Sequence, residues 1–136
     1  MTDYEGFDAW QTQVPRQITR SQLWKFITYR KALYLSDLAW QDCETLLSDE
    51  RGKSIAWQLI RSSGSIAANI EEGYGRGYGK DYARFLRISL GSARETQGWY
   101  YRGRHLWPDD LVRRRLELLD EIISGLVTTS NQQRHR

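Results

Sequence analysis

The chain has 136 residues, which suffices for a single hydrophobic core but not for two. Its 20 Lys and Arg and 17 Asp and Glu give a formal net charge of only +3, so total charge does not by itself assign a nucleic-acid partner. One cysteine excludes a disulfide within the chain, and no apolar run approaches the ~20 residues of a membrane-spanning helix, so we expect a cytoplasmic protein without a membrane partner.

Residues 1–20 are predicted to form an N-terminal arm, separate from the main domain. Tyr4, Phe7 and Trp10 recur at intervals of three, so they line one side of a short helical turn. Two interpretations stay open. The arm is a partly disordered tail, or it docks its aromatic side chains on a partner or a neighbouring subunit.

Four amphipathic helices are predicted over residues 21–129. The first begins at Ser21, a good N-cap, and ends before the turn-forming segment at 48–52. The second runs from about residue 52 to 72, with Gly73 as its C-terminal cap, and the third covers residues 80–105. The fourth follows Pro108 and ends near residue 129. Short connections join these helices, so the predicted fold class is all-α, an antiparallel up-down four-helix bundle followed by a polar tail at 130–136.

Small side chains predict a contact between the second and third helices. Residues 62–68 of the second helix are mostly Ser, Gly and Ala, and the third has Gly91 and Ser92 near its middle. Glycine and serine inside a helix cost stability unless close packing offsets the loss. We therefore expect Gly91 and Ser92 to pack against residues 62–68.

The third helix has a basic side opposite its apolar side. At ~100° per residue, five basic side chains lie within roughly 40° of one line along it: Lys80, Arg84, Arg87, Arg94 and Arg102. Residues 76–104 carry seven basic and two acidic side chains, a local charge of +5 that exceeds that of the whole chain. A solvated face usually mixes both signs, so this row, together with Arg76, predicts contact with RNA or DNA. The alternative is a protein interface in which the arginines contact another subunit or an acidic partner.

The glycine-rich loop at residues 73–79 does not fit a nucleotide-binding motif. A dinucleotide fingerprint requires a preceding strand, and a helix precedes this loop. Tyr74 and Asp81 occupy the positions where a Walker loop needs glycine and Ser or Thr. Arg76 between Tyr74 and Tyr78 is suited to phosphate and base contact. The other interpretation is a plain connection whose tyrosines pack on the bundle.

No catalytic or metal-binding arrangement is visible in the sequence. Glu71 and Glu72 are adjacent on a helix, so their side chains point about 100° apart and do not form a paired carboxylate site. His105 and His135 stand in no metal-ligand spacing, and no nucleophile has a recognisable base. We expect a protein that is not an enzyme and that holds neither a metal nor a cofactor.

Two segments of the chain resemble a known family. The sequence SIAANIEEG at residues 65–73, the Gly/Arg loop after it, and RFLRISLGSARE at residues 84–95 resemble four-helix-bundle proteins encoded in intervening sequences of bacterial 23S rRNA genes. Ser89 and Glu71 depart from the alanine that this family usually or often has there. The positions that match the family pattern are Arg61, Ser65, Ile66, Asn69, Ile70, Glu72, Gly73, Arg84, Phe85, Leu86, Gly91, Ser92 and Glu95.

The resemblance implies a ring-like homopentamer. The family that the chain resembles is related to the accessory variability determinants of diversity-generating retroelements. Those proteins are basic pentamers that bind nucleic acid and associate with a reverse transcriptase. We expect a non-enzymatic oligomer that presents its basic residues to RNA or DNA, with an accessory role beside a reverse transcriptase. The alternative is an interaction scaffold encoded in an rRNA intervening sequence. The residues expected to serve an interface or the structure are Arg61, Ser65, Asn69, Glu72, Gly73, Gly91, Ser92 and Glu95.

Overall fold

The computed structural model describes residues 6–136, and every regular element in that range is helical. Two short helices, α1 (Phe7–Gln11) and α2 (Arg16–Thr19), precede four long ones. Short 3₁₀ turns at Gln22–Lys25 and Arg104–Leu106 lead into the first long helix and join the last two. The all-α class predicted from the sequence is therefore confirmed. The long helices are α3 (Ile27–Leu47), α4 (Glu50–Gly75), α5 (Lys80–Arg102) and α6 (Asp109–Arg134).

Each long helix packs against the next one along the chain, and α6 also contacts α3, so the four helices enclose one core. Short connections between successive helices make neighbours antiparallel. The core is built from apolar side chains that recur at helical spacing on each element. The largest fully buried side chains include Leu35, Leu46, Leu59, Ile66, Ile70, Leu86, Tyr100, Leu119, Ile122 and Leu126.

The two ends of α4 differ from the prediction. The carboxylate of Asp49 accepts hydrogen bonds from the backbone N–H groups of Arg51 and Gly52 at 2.8 and 3.1 Å, so the helix begins at Glu50. The sequence predicts a C-terminal cap at Gly73, but α4 continues to Gly75. A Cβ at position 73 would lie 2.6 Å from the Cβ of Phe85 on α5, so this glycine serves the close approach of two helices.

The predicted contact between α4 and α5 is present, but a different set of α5 residues makes it. Gly91 is exposed, with open space where a Cβ would stand, because it lies about 20° from the line of the basic row. The buried contact uses Ser89, whose hydroxyl donates to the Ile66 carbonyl at 2.7 Å, and Thr96, whose hydroxyl donates to Ser62 Oγ at 2.9 Å. Ala93 packs fully buried between them. Ser92 is only half-buried, and its carbonyl lies 2.7 Å from the same Thr96 hydroxyl, as the alternative acceptor for its one proton.

The described part of the N-terminal arm packs on the chain's own bundle. Trp10 is 3% exposed and stands against Tyr34 and Leu38 of α3. Its indole N–H donates to the Asp37 carboxylate at 2.8 Å. Phe7 lies 6.0 Å from the Trp10 ring in a stacked arrangement. The sequence predicts a partly disordered tail or a contact with a partner, whereas the described residues of the arm dock on α3 of the same chain; Tyr4 lies outside the described residues.

The segment at 130–136 is mostly helical, whereas the sequence predicts a polar tail there. Helix α6 continues to Arg134 because two of its polar side chains find buried partners. The Ser130 hydroxyl donates to the Ala83 carbonyl at 3.4 Å. Gln133 Oε1 accepts from the Gly79 backbone N–H at 3.0 Å. The end of α6 thus closes against the loop that precedes α5.

Candidate nucleic-acid interface

The outer face of α5 carries the basic row predicted from the sequence, called here the basic stripe. On the opposite side of the helix Tyr82, Leu86, Ala93 and Tyr100 are buried, which turns the row toward solvent. At 1.5 Å per residue, the row extends for roughly 33 Å. All of its members are exposed: Lys80, Arg84, Arg87, Arg94 and Arg102.

Part of this positive charge is free of ion pairing. Arg84 pairs with Asp81 at 3.3 Å, and Arg76 in the loop pairs with Glu72 at 3.0 Å. Within residues 6–136, no carboxylate forms an ion pair with the other two central arginines or with the lysine of the stripe. These three cations, Lys80, Arg87 and Arg94, are available to an external anion.

Two glycines shape the stripe around Arg94. Gly91 leaves open space on one side of it. On the other side, a Cβ at Gly98 would lie 2.6 Å from the Arg102 guanidinium, which folds back over the helix and rests 4.9 Å from the Trp99 ring centroid. The helix surface next to Arg94 is therefore open on the Gly91 side, whereas the Arg102 guanidinium covers it on the Gly98 side.

The loop between α4 and α5 lies at the N-terminal end of the stripe. Gly77 and Gly79 have φ angles of +96° and +82°, a region that favours glycine, so the chain reverses sharply between them. Tyr78 stands between the two glycines and is exposed, with the Arg136 guanidinium 4.8 Å from its ring centroid. Tyr74 packs edge-on against Tyr82. Tyr78 in the loop and Tyr74 in the last turn of α4 therefore have different environments.

The motif residues make contacts within this chain. Arg61 on α4 forms an ion pair with Glu95 on α5, and the Trp99 indole N–H also donates to Glu95 at 2.9 Å. Asn69 donates to the Ser65 carbonyl at 2.8 Å, one turn earlier on α4. The Arg61–Glu95 pair and the close approach of Gly73 to Phe85 join α4 to α5. The Asn69–Ser65 bond and the Glu72–Arg76 pair stabilise α4 itself.

The two departures from the family pattern also have partners. Ser89 donates to the α4 backbone, as described above. Glu71 accepts a hydrogen bond from the Tyr29 hydroxyl at 2.6 Å. Burial and the Glu71 carboxylate raise the pKa of Tyr29. Each departure therefore adds a polar contact between helices that alanine would lack.

A buried ion pair in the core was missed by the sequence analysis. The carboxylate of Asp42 is 7% exposed and accepts from Arg115 Nε at 2.7 Å and from the Tyr100 hydroxyl at 2.7 Å. Burial and Asp42 raise the pKa of Tyr100 well above its usual value. The neighbouring Cys43 thiol is buried, and burial with the Asp42 charge raises its pKa to about 11, which makes it a poor nucleophile. The sequence contains one indication of this buried pair, because Asp42 stands among the apolar positions of α3.

The arginines of α6 do not extend the basic stripe. Arg113 pairs with Glu117 and Arg114 pairs with Asp110, both at 3.5 Å and both at the surface. Arg115 belongs to the core pair with Asp42. Unlike the free cations of α5, each of these three arginines has a carboxylate partner.

An apolar groove lies between α3 and α4, away from the stripe. Trp40 and Trp57 are 69% and 70% exposed, and Leu47 beside them is also exposed. The groove between them has a volume of about 430 Å³, with Glu44 and Lys53 on its rim. These side chains together form an exposed apolar patch on the surface.

In the described range, no three His, Cys, Asp or Glu side chains are grouped so that they could hold a metal ion. None of the helices in that range combines the length and apolar character that crossing a membrane requires.

Comparison with known proteins gives one match. Residues 25–127 match the model of a family described as 23S rRNA-intervening sequence protein. This range holds α3, α4, α5 and the whole basic stripe, together with most of α6. Neither the curated proteins nor the solved structures contain a significant match.

Proposed function

Because the chain belongs to the 23S rRNA-intervening sequence protein family, we propose that it is a non-enzymatic bundle that binds RNA or DNA through the basic stripe of α5. The observation that carries the proposal is the row of exposed cations Lys80, Arg87 and Arg94, which form no ion pair with a carboxylate of residues 6–136 and extend over about 21 Å of one helix face. Guanidinium groups bind phosphate through two parallel hydrogen bonds, so arginine is well suited to a sugar-phosphate backbone.

The proposal is tested by removing the two free arginines. The double variant Arg87→Gln/Arg94→Gln should bind labelled RNA or DNA at least about 10-fold more weakly. The slope of log affinity against log salt should also fall by roughly 1.4–1.8, because two phosphate contacts are lost. Fluorescence anisotropy over a salt series measures both quantities.

A matched control uses two other exposed arginines. Arg113→Gln/Arg114→Gln removes the same charge from α6, where both guanidinium groups already have carboxylate partners. Its affinity and salt slope should stay close to those of the parent protein. Equal losses in the two double variants would mean that general charge, and not the stripe, drives binding. If Arg87→Gln/Arg94→Gln still binds nucleic acid but no longer forms the oligomer, the stripe is a subunit interface.

A second function, self-assembly, is favoured by the apolar groove. We propose that another copy of the chain covers Trp40 and Trp57, in the ring-like homopentamer that the resemblance implies. The groove supports this occupant because its rim carries charges of both signs, Glu44 and Lys53, which suits contact between copies of one chain. A ring would repeat the stripe and convert modest affinity per subunit into avidity.

Native mass spectrometry tests the assembly. Trp40→Gln/Trp57→Gln should dissociate the parent oligomer to monomers, whereas Tyr101→Gln, at an exposed aromatic position elsewhere, should not. An unchanged oligomer in the tryptophan variant would exclude the groove as the interface. A parent mass other than five chains would exclude the pentamer.

A finer proposal places the protein beside a reverse transcriptase as an accessory subunit. The resemblance to accessory variability determinants supports it, and the basic stripe suits a complex that handles nucleic acid. Genomic neighbourhood is the direct test. A reverse-transcriptase gene and a repeat pair next to this gene would support the accessory role. A position inside a 23S rRNA gene would contradict it and favour the interaction scaffold.

A further inference from the structure

Tyr78 is unusually exposed for an aromatic side chain in a short connection. Its exposed fraction is 76%, whereas Tyr82, four residues later, is buried in the core. A tyrosine that only anchored the loop would bury its ring, as Tyr82 does. The ring of Tyr78 instead presents its surface to solvent, although exposing an aromatic ring gives no stability in return.

The position of Tyr78 is fixed by the end of α6. The loop is tied to that helix by the bond from the Gly79 N–H to Gln133 Oε1, at 3.0 Å. The Arg136 guanidinium lies 4.8 Å from the Tyr78 ring centroid, which is a cation–π distance. Tyrosine and arginine from distant parts of the sequence thus form a cation–π pair at the N-terminal end of the basic stripe.

The surroundings of this pair are basic. Arg76 and Arg84 lie on either side of it in sequence, each paired with one surface carboxylate. Lys80, two residues from Tyr78, forms no ion pair with any described carboxylate and begins the stripe. A phosphate chain that follows the stripe would therefore reach the Tyr78–Arg136 pair.

A second tyrosine–arginine pair, at the C-terminal end of α5, provides a comparison. Tyr101 is 56% exposed, with the Arg104 guanidinium 4.0 Å from its ring centroid. Its surface depression is lined by three carboxylates, those of Asp109, Glu117 and Asp120, against two guanidinium groups, those of Arg104 and Arg113. The excess of carboxylates disfavours a phosphate chain there. The two pairs are alike in chemistry and differ in their acidic neighbours.

We propose that Tyr78 and Arg136 form a stacking platform for an unpaired nucleobase, so that the preferred substrate is single-stranded RNA or DNA. The inference rests on the proposed function, since the stripe holds the phosphates while the platform holds a base. In a duplex both faces of each internal base are already stacked, and only an unpaired base offers a free face. Stacking on tyrosine and arginine is also tolerant of base identity.

Tyr78→Ala tests the platform with three ligands in fluorescence anisotropy. The ligands are a short labelled single strand, the same strand in a duplex, and an abasic oligonucleotide of equal length. The variant should lose about 5- to 150-fold in affinity for the single strand, the range expected for one stacked base. Its affinity for the duplex and the abasic strand should change by less than about 2-fold, because neither places a free base on the ring.

Two further variants control the experiment. Tyr78→Phe keeps the ring and should bind the single strand almost as well as the parent. Tyr101→Ala removes the comparable tyrosine in acidic surroundings and should leave all three affinities unchanged. Tyr78 is at the surface, so circular dichroism should report the same fold in every variant.

The outcomes separate the platform from the stripe. If Tyr78→Ala binds the single strand as the parent does, or loses duplex and single strand equally, the platform is wrong while the stripe still stands on its own arginine variants. If the parent binds none of the three ligands, both are overturned. A loss confined to the base-bearing single strand supports the platform.

Discussion

Asp42 places a carboxylate in the core where an apolar side chain would pack more simply. The carboxylate accepts hydrogen bonds from the Arg115 guanidinium and the Tyr100 hydroxyl, and the backbone carbonyl of Asp42 accepts one from the Trp107 indole N–H. A buried charge is tolerated when its partners are in place, and it becomes costly when one of them is removed. The residue therefore specifies how α3, α5 and α6 fit together.

Replacing Asp42 should destabilise the protein strongly. Asp42→Ala leaves the Arg115 charge buried without a partner and should lower the free energy of unfolding by about 3–5 kcal/mol. Asp110→Ala, which removes a surface pair with Arg114, should cost less than about 1 kcal/mol. Urea unfolding of the two variants measures the difference. Similar losses would mean that the buried pair contributes no more than a surface pair.

Two glycines of α4 should respond to alanine in opposite directions. At Gly73 a methyl group meets the Phe85 side chain of α5, so Gly73→Ala should cost about 1–3 kcal/mol. At Gly64 nothing lies within 4 Å of the added carbon, so Gly64→Ala should stabilise the helix by up to about 1 kcal/mol. Thermal unfolding gives both values. Stabilisation at position 73 would contradict the close helix approach.

At the scale of elements, the long helices could be predicted because each carries its own apolar period. Their ends could not, because partners distant in the sequence determine them. Helix α6 passes residue 129 since Ser130 and Gln133 meet the backbone next to the start of α5. The arm packs on α3 through Trp10 and Asp37, a bond between positions 27 residues apart that no local pattern indicates.

The junction between α6 and the loop before α5 is tested with two neighbouring glutamines. Gln133→Ala removes the acceptor for the Gly79 N–H and should cost roughly 1 kcal/mol, with faster hydrogen exchange at Gly79. Gln132→Ala changes an exposed side chain of the same type in the same helix turn and should leave exchange unaltered. Exchange at Gly79 that is equal in the two variants would show that the bond does not hold the loop.

For the whole molecule, stability should fall in alkaline solution because several tyrosines are buried. Burial, and then Tyr74, raise the pKa of Tyr82 to about 12, and the pKa values of Tyr29 and Tyr100 are also raised. The unfolded chain loses these protons near pH 10, while the folded protein keeps them. The stability linked to these protons is therefore complete below about pH 10 and is lost as pH rises through the folded pKa values.

Tyr100→Phe isolates one of these groups. Above about pH 10, the unfolding free energy of the variant should decline less steeply with pH than that of the parent. The two slopes should differ by roughly 1.4 kcal/mol per pH unit, because the variant releases one proton fewer on unfolding. At neutral pH the same variant should lose about 1 kcal/mol with the hydrogen bond to Asp42. Urea unfolding at several pH values tests both effects. Parallel curves for parent and variant would contradict the assignment.

In the candidate site, as in the fold, features within one helix could be predicted from the sequence and contacts between distant segments could not. The basic stripe could be predicted because its members share one helix and helical rotation alone places them together. Arg136 could not be assigned to Tyr78, nor Arg61 to Glu95, because those pairs depend on how the helices pack. The small size of Gly91 predicts a contact between helices, but helical rotation places this residue on the exposed face of α5.

The Asp42–Arg115 pair also bears on the order in which the chain folds. Its members stand 73 positions apart, whereas most helix contacts join sequence neighbours, which favours rapid folding. Because α6 must dock before the pair can form, the pair should be absent from the transition state for folding. Asp42→Ala should then accelerate unfolding and leave the refolding rate nearly unchanged, as stopped-flow measurements over a urea series would reveal. Refolding that slows in proportion to the lost stability would instead place the pair in the folding nucleus.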